Sequence, residues 1–212
     1  MACLADSTQL FSIAVIYLKN RTSRGWSKTD HYPDEPLIAE DEKERFRDRI
    51  LPILAQSHGP ARQQLLQMIQ RILHFDFPGK WPSFMDVTLR LLHANDPPSV
   101  LAGLQCLLVT CRAFRFKGAQ DNGRVEFDKV VEASFPRLLQ ICNELVNQES
   151  DEAGEMLHIA LKAYKHATWV CLHPRPERRF LPVALVANDP PSSNCKAFCA
   201  STRLTLAGVP SF

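Results

Sequence analysis

The sequence predicts an all-α protein, a solenoid of antiparallel helix pairs over residues 1–170 followed by a poorly ordered tail over 171–212. Three observations carry that prediction. Apolar residues recur at helical spacing through most of the first 170 positions. Short turns such as Ser57-His58-Gly59-Pro60 and Asn95-Asp96-Pro97-Pro98 punctuate them. The helices also alternate in character: those over 40–56 and 124–147 carry an internal proline, Pro52 and Pro136. The returning helices from 61, 97 and 151 are proline-free beyond their first turn and apolar on more than one face. A kinked outer helix covering an inner helix pressed from both sides is the unit of a helical-repeat array, with a single globular bundle as the competing architecture.

Residues 7–24 form the first helix, with Leu10, Ile13, Ala14, Tyr17 and Leu18 as its inward stripe. Phe11, Val15 and Ile16 widen that stripe nearly all round, so several neighbours are needed to cover it. Gly25, Pro33 and Pro36 among polar residues mark 25–38 as a loop. The second helix, 40–56, opens on Glu40, Asp41 and Glu42, carboxylates suited to the positive end of a helix dipole. Its stripe is Phe46, Ile50, Ile53 and Leu54, and Pro52 removes the hydrogen bond to Asp48, which predicts a kink. A helix over 61–75 returns with Leu65, Met68, Ile69, Ile72 and Leu73 inward. The next spans about 82–94 on Phe84, Val87, Leu89, Leu91 and Leu92. Asp96 is placed to cap the following helix, which Val100, Leu101, Leu104, Leu107, Leu108 and Cys111 make broadly apolar to about Phe116. Beyond a polar loop with Gly118, Asp121, Asn122 and Gly123, residues 124–147 carry Phe127, Val130, Val131, Phe135, Leu138, Leu139, Ile141, Cys142, Leu145 and Val146. The last helix runs from about 151 to 170, with Met156, Ile159, Ala160, Ala163, Tyr164 and Ala167 inward. After it the helical stripe is lost, and Pro174, Pro176, Pro182, Pro190, Pro191 and Pro210 supply six of the fifteen prolines, the composition of a disordered tail.

The chain turns on one stretch, His74-Phe75-Asp76-Phe77-Pro78-Gly79-Lys80-Trp81-Pro82. Pro82 suits a first helical position, where its missing N–H costs nothing. Phe75, Phe77 and Trp81 are too apolar for a solvated loop and are expected to pack beneath the corner, with Phe77, Pro78, Gly79, Trp81 and Pro82 as its structural residues.

Composition narrows the function. With 25 Lys and Arg against 23 Asp and Glu the net charge is only +2, so the chain lacks the strong basicity of a nucleic-acid-binding surface. Seven cysteines, an odd number lying mostly in helical patterns, point to reduced core thiols and a cytosolic or nuclear protein. No run approaches the ~18 apolar residues of a membrane span, and the apolar run from Leu10 to Leu18 follows no basic segment, so neither membrane insertion nor secretion is expected. No enzyme is expected either. The seven histidines have no partner set, Cys106 and Cys111 fall on different helix faces, and Gly59, Gly79 and Gly103 stand alone rather than in a phosphate loop. No catalytic residue, metal or cofactor is therefore assigned. What remains is a binding surface. Opposite the apolar stripes lie Lys19, then Gln63, Gln67 and Gln70, then Gln105 and Arg112, then His158, Lys162 and Lys165, a polar and mildly basic strip suited to an acidic protein face.

Certain residues also carry a family likeness. Ile16-Tyr17-Leu18-Lys19-Asn20 followed by Trp26, then Arg47-Asp48 leading an apolar helix, then Asp76-Phe77-Pro78-Gly79-Lys80-Trp81-Pro82, resemble the amino-terminal HEAT repeats of importin-β-type nuclear transport receptors (karyopherins). The corner looks most like the importin seven and eight class, and the resemblance covers about residues 8–170. It implies a HEAT-like solenoid that binds the small GTPase Ran in its GTP form, engages phenylalanine-glycine nucleoporins and carries protein cargo between cytoplasm and nucleus through the pore. It also makes Lys19, Asn20, Gln63, Gln67 and Gln70 the Ran-binding candidates. Family members begin with further helices and continue through many more repeats, so the chain reads as a truncated segment of a receptor with an unrelated tail. A helical-repeat scaffold with no transport role is the alternative.

Overall fold

Seven helices and no strand make up the residues that the computed structural model describes, 2–28, 31–114 and 122–172. They are α1 (Ala2–Gly25), α2 (Glu40–Gln56), α3 (Gly59–Asp76), α4 (Ser83–Leu92), α5 (Pro97–Phe114), α6 (Asn122–Leu145) and α7 (Asp151–Leu172). Met1–Ala167 make one compact unit; of the second, Thr168–Phe212, the described part is the end of α7. The tail expected from residue 171 thus begins inside α7, and its remainder, 173–212, lies outside the described residues.

The order of elements is a helical repeat: α2 with α3, α4 with α5 and α6 with α7, preceded by α1. Helix starts follow their local chemistry. Asp96 Oδ2 accepts the Ser99 N–H at 2.9 Å and caps α5, and Ser150 Oγ accepts the Ala153 N–H at 3.2 Å and caps α7. At the start of α3, Gly59 takes φ +57°, a conformation open to glycine, and turns the chain back directly after α2. Both α2 and α6 continue as helix through Pro52 and Pro136.

α5 is the centre of the unit. It packs against α2, α3, α4 and α6, and every side chain from Ala102 to Cys111 is buried. By length and composition α5 is apolar enough to cross a membrane, but its apolar surface is spent on those neighbours. Gly103 lets α4 approach closely: a Cβ there would lie 2.9 Å from the backbone nitrogen of Leu92, at the end of α4. Hydroxyls inside this core are answered by their own helices, Thr88 to the Phe84 carbonyl at 2.9 Å, Thr110 to Cys106 at 2.9 Å and Ser134 to Val130 at 2.6 Å.

Four expectations need correction. The inward stripe of α1 is not Leu10, Ile13, Ala14, Tyr17 and Leu18, all of which are exposed. Among the described residues α3 is the helix that packs broadly on α1, and it covers Val15, Thr22 and the following Trp26, with Lys19 half-buried between them. In α2 the buried set is Arg47, Ile50, Leu51 and Leu54, whereas Ile53 is exposed, because Arg47 has a buried partner that turns the helix towards it. Phe75 is exposed, with the Arg71 guanidinium 5.3 Å from its ring centroid, and so is not packed under the corner. Gln105, expected on the polar strip, is buried.

Candidate protein-binding face and the polar hub behind it

Asp76 closes α3, and its side chain is buried where α1, α2 and the corner meet. Its Oδ2 accepts the indole N–H of Trp26 at 3.0 Å and the Arg47 guanidinium at 2.7 Å. Its carbonyl accepts the backbone N–H groups of Lys80 at 2.7 Å and Trp81 at 3.1 Å. Arg47 reaches on to Glu40 at 3.0 Å, and Lys43 and Lys80 approach the same carboxylate at 3.4 and 3.9 Å. The Lys43 ammonium also sits 5.7 Å from the Trp26 ring centroid. Burial works against the Arg47 charge, but its hydrogen bonds to Glu40 and Asp76 outweigh that and hold its pKa above the ordinary value. The same Arg47 bond, helped by Lys43 and Lys80, holds the Glu40 carboxyl below its ordinary range. Trp26, Arg47, Asp76 and Trp81, separate in sequence, are therefore one assembly that sets how α1, α2 and α3 stack.

Beside it the corner is aromatic. Phe77 lies edge-on to Phe84 and Phe114, with centroids 6.0 and 5.5 Å apart, Trp81 meets Phe84 at 4.8 Å, and Phe114 stacks on Phe127 at 5.9 Å. Phe77 and Trp81 are buried, the Phe77–Pro78 peptide is cis, and Gly79 is exposed with open space where a Cβ would project. Pro82 is the residue before α4, one place ahead of the expected first helical position.

A second buried cation explains Gln105. Arg62 on α3 donates to Gln105 Oε1 at 2.6 Å, to the Ser57 carbonyl at 3.0 Å and to the Pro98 carbonyl at 3.4 Å, tying α3 to the middle and the first turn of α5 and to the turn after α2. Burial lowers its pKa. A polar residue inside an otherwise apolar helix needs a partner, and that was the available signal for this pair. Arg137 repeats the device, donating to the Leu92 carbonyl at the end of α4 at 3.0 Å.

The candidate binding residues lie on α1 and α3. Thr22 meets Met68 and Trp26 meets Asp76, so the two helices run side by side in the same direction and Lys19 is level with the second turn of α3. Gln63, Gln67 and Gln70, with His74, form a continuous exposed row on α3 opposite its buried stripe. Asn20 is exposed and Lys19 half-buried. Asn20 also borders a small cleft of about 230 Å³ with Tyr17, Arg21, Arg24 and Glu35. On α7, His158, Lys162 and Lys165 are exposed; Arg112 on α5 is half-buried. Cys106 and Cys111 are buried and their thiols pushed up to about 12, which makes them packing groups.

A row of helices joined through buried arginine ties, with an uncharged polar face on one inner helix, defines a helical-repeat protein whose exposed chemistry is suited to binding protein. No protein-family model matches the chain. It is 28 % identical over 152 residues to a probable importin-7 homolog of Dictyostelium discoideum, covering 72 % of this chain and 14 % of that protein. It is 29 % identical over 168 residues to an importin beta-like SAD2 homolog of Arabidopsis thaliana (77 % and 15 %), and 28 % identical over 141 residues to human importin-8 (65 % and 13 %). Among solved structures, the exportin Cse1 in its cargo-free, cytoplasmic state superposes with a TM-score of 0.60 over 73 % of this chain and 17 % of that one, at 18 % identity. The relatives and the shared fold support a member of the importin-β superfamily. The chain spans about one seventh of the length of these relatives.

Proposed function

We propose that this chain is a segment of a nuclear transport receptor that acts by binding proteins, with Ran-GTP as one partner, and supports import of protein cargo through the pore. The exposed Gln63–Gln67–Gln70 row on α3, set beside Lys19 and Asn20 of the parallel α1 in a chain similar to importins, is the observation that carries the reading. Phenylalanine-glycine nucleoporins and cargo are further partners on this reading, and the protein moves between cytoplasm and nucleus. Residues 1–170 act as the repeat segment, 171–212 as a tail. Catalysis has no part in it.

The chemistry of the face fits. Glutamines both donate and accept hydrogen bonds without the desolvation cost of charge, and Lys19 adds one cation at the edge. Interface energy gathers in a few central residues, so a segment holding part of a footprint binds more weakly than a whole receptor. Titration of the chain against Ran loaded with GTP or GDP is the test. Preference for the GTP form, weakened by Gln67→Glu and Lys19→Glu with helicity intact, is expected. Equal affinity for both forms, or indifference to both substitutions, would remove these residues from the site and favour a scaffold without a transport role.

A further inference from the structure

We propose that Arg71, laid over the exposed ring of Phe75, is the anchor by which the exposed face of α3 takes hold of an acidic segment of a protein partner; this rests on the reading of that face as protein-binding. Gln64, Gln67, Arg71 and Phe75 stand at i, i+3, i+7 and i+11 of α3, one stripe between the exposed Gln63, Gln70 and His74 and the contact that Met68 makes with Thr22 of α1. Phe75, expected beneath the corner, is instead 38 % exposed, and the Arg71 guanidinium lies 5.3 Å from its ring centroid. Stacking on the ring holds in place a long side chain that would otherwise be free, so little order remains to be imposed when a partner arrives.

Three other arginines at helix contacts find acceptors: Arg47 on Asp76 and Glu40, Arg62 on Gln105 and two carbonyls, Arg137 on the Leu92 carbonyl and Glu144. Arg71 does not. Among the described residues no hydrogen bond or ion pair reaches its guanidinium, and its Nε is shut off from water without a partner, as is Gln64 Oε1 two turns earlier on the same stripe. A sheltered cation and a sheltered amide oxygen left unanswered are groups that a partner stabilises by supplying what is missing, an acceptor for the one and a donor for the other. They lie about 10 Å apart along α3, a span that about three residues of extended chain cover, so a side-chain carboxylate on Arg71 and a backbone N–H on Gln64 fit one segment. Charge selects its sign. No acid occurs from Gln9 to Ser27, from Gly59 to Phe75 or in α5, and the Asp76 carboxylate that closes α3 is taken up by Trp26 and Arg47. An acidic segment therefore meets no like charge along this face, whereas a basic one meets Arg71 and Lys19.

Titration of the full 212-residue chain with an acetylated peptide of Glu-Asp-Leu repeats, followed by NMR at about 0.1 M salt, tests this. The Arg71 Nε–H, slow to exchange because it is shut off from water, gives a signal assigned by its loss in Arg71→Lys. That signal is expected to shift on binding, with an affinity that falls as salt is raised, and to stay in place with the Lys-Arg-Leu counterpart. Arg71→Ala and Arg71→Lys should each weaken binding at least ~10-fold with helicity intact, since a lysine reproduces neither the fork nor the stack. Arg90→Ala, at an exposed position on α4, should leave it unchanged. An Arg71 signal unmoved by the acidic peptide, or binding indifferent to both Arg71 substitutions, overturns the proposal. Ran separates it from the reading on which it rests: acidic-peptide binding at Arg71 with no preference for Ran-GTP keeps the anchor and removes that partner, whereas a preference for Ran-GTP with Arg71 idle removes the anchor and keeps the partner.

Discussion

Replacing Asp76 tests whether the buried hub holds the stack together. Asp76→Ala strands two donors. The Trp26 indole N–H loses its acceptor in a buried place, a cost of about 1–3 kcal/mol, and Arg47 loses its buried carboxylate, a class of change that costs about 3–5 kcal/mol. Glu40 still holds Arg47 at 3.0 Å, so the low end of the second figure applies and the sum is about 4–6 kcal/mol, with about 4 kcal/mol as the minimum. That is nearly a thousandfold in the unfolding equilibrium and a large part of the ~5–15 kcal/mol that an ordinary domain possesses. Asp76→Asn keeps an acceptor and loses the charge, so about half that cost is expected. Urea unfolding followed by circular dichroism gives both values, provided the slope with denaturant is unchanged. A double-mutant cycle of Asp76→Ala with Trp26→Phe should show coupling of at least about 1 kcal/mol, since the pair is in direct contact. A cost below 1 kcal/mol for Asp76→Ala, or no coupling, would refute the reasoning and make the hub a surface decoration.

Trp81→Ala and Phe77→Ala should each cost about 3 kcal/mol or more, because each removes a buried ring from the Phe84–Phe114 cluster; thermal melts that match the parent would show the corner to be loosely packed. Gly103→Ala should destabilise by about 1–3 kcal/mol, since the new methyl meets the Leu92 backbone and α4 cannot yield without shifting, and the same melts read it. Cys106 and Cys111 should resist a thiol reagent at about pH 8 in the native protein and react fully once it is unfolded, because burial both blocks access and raises their pKa to about 12. For Glu40 the pKa is lower folded than unfolded, so the unfolded chain binds more protons. Its contribution is present above about 4.5 and is lost as the pH falls through the folded value, and Glu40→Gln should flatten that part of the acid limb in melts between about pH 3 and 6.

The helices were legible in the sequence because their period survives the choice of partner, but the buried faces were legible only where neighbours surround the helix. In α5 the apolar residues run all round and all round is covered, so Val100, Leu104, Leu107 and Cys111 were read correctly as core. In α1 the same richness misled. The stripe with the most apolar residues faces water, and the stripe that packs on α3 contains Thr22 and the stem of Lys19, residues that a hydrophobic count scores as surface. Thr88, Thr110 and Ser134 escaped for a related reason: a hydroxyl that bonds the carbonyl one turn back is satisfied without water, and its polarity then says nothing about exposure. The hub had a better signal. Arg47 and Asp76 belong to the family likeness, yet a Trp just past α1, an Arg in the middle of α2 and an Asp closing α3 are the polar groups most in need of partners once those helices stack, and only the tertiary arrangement shows that they answer one another. The candidate binding face differs in kind. Gln63, Gln67 and Gln70 are exposed, as their place opposite the stripe of α3 requires, and what an exposed row binds is set by the partner's surface as much as by its own. Pattern reading along one chain therefore reaches the accessibility of the row, and the choice of partner rests on titration with the partner itself.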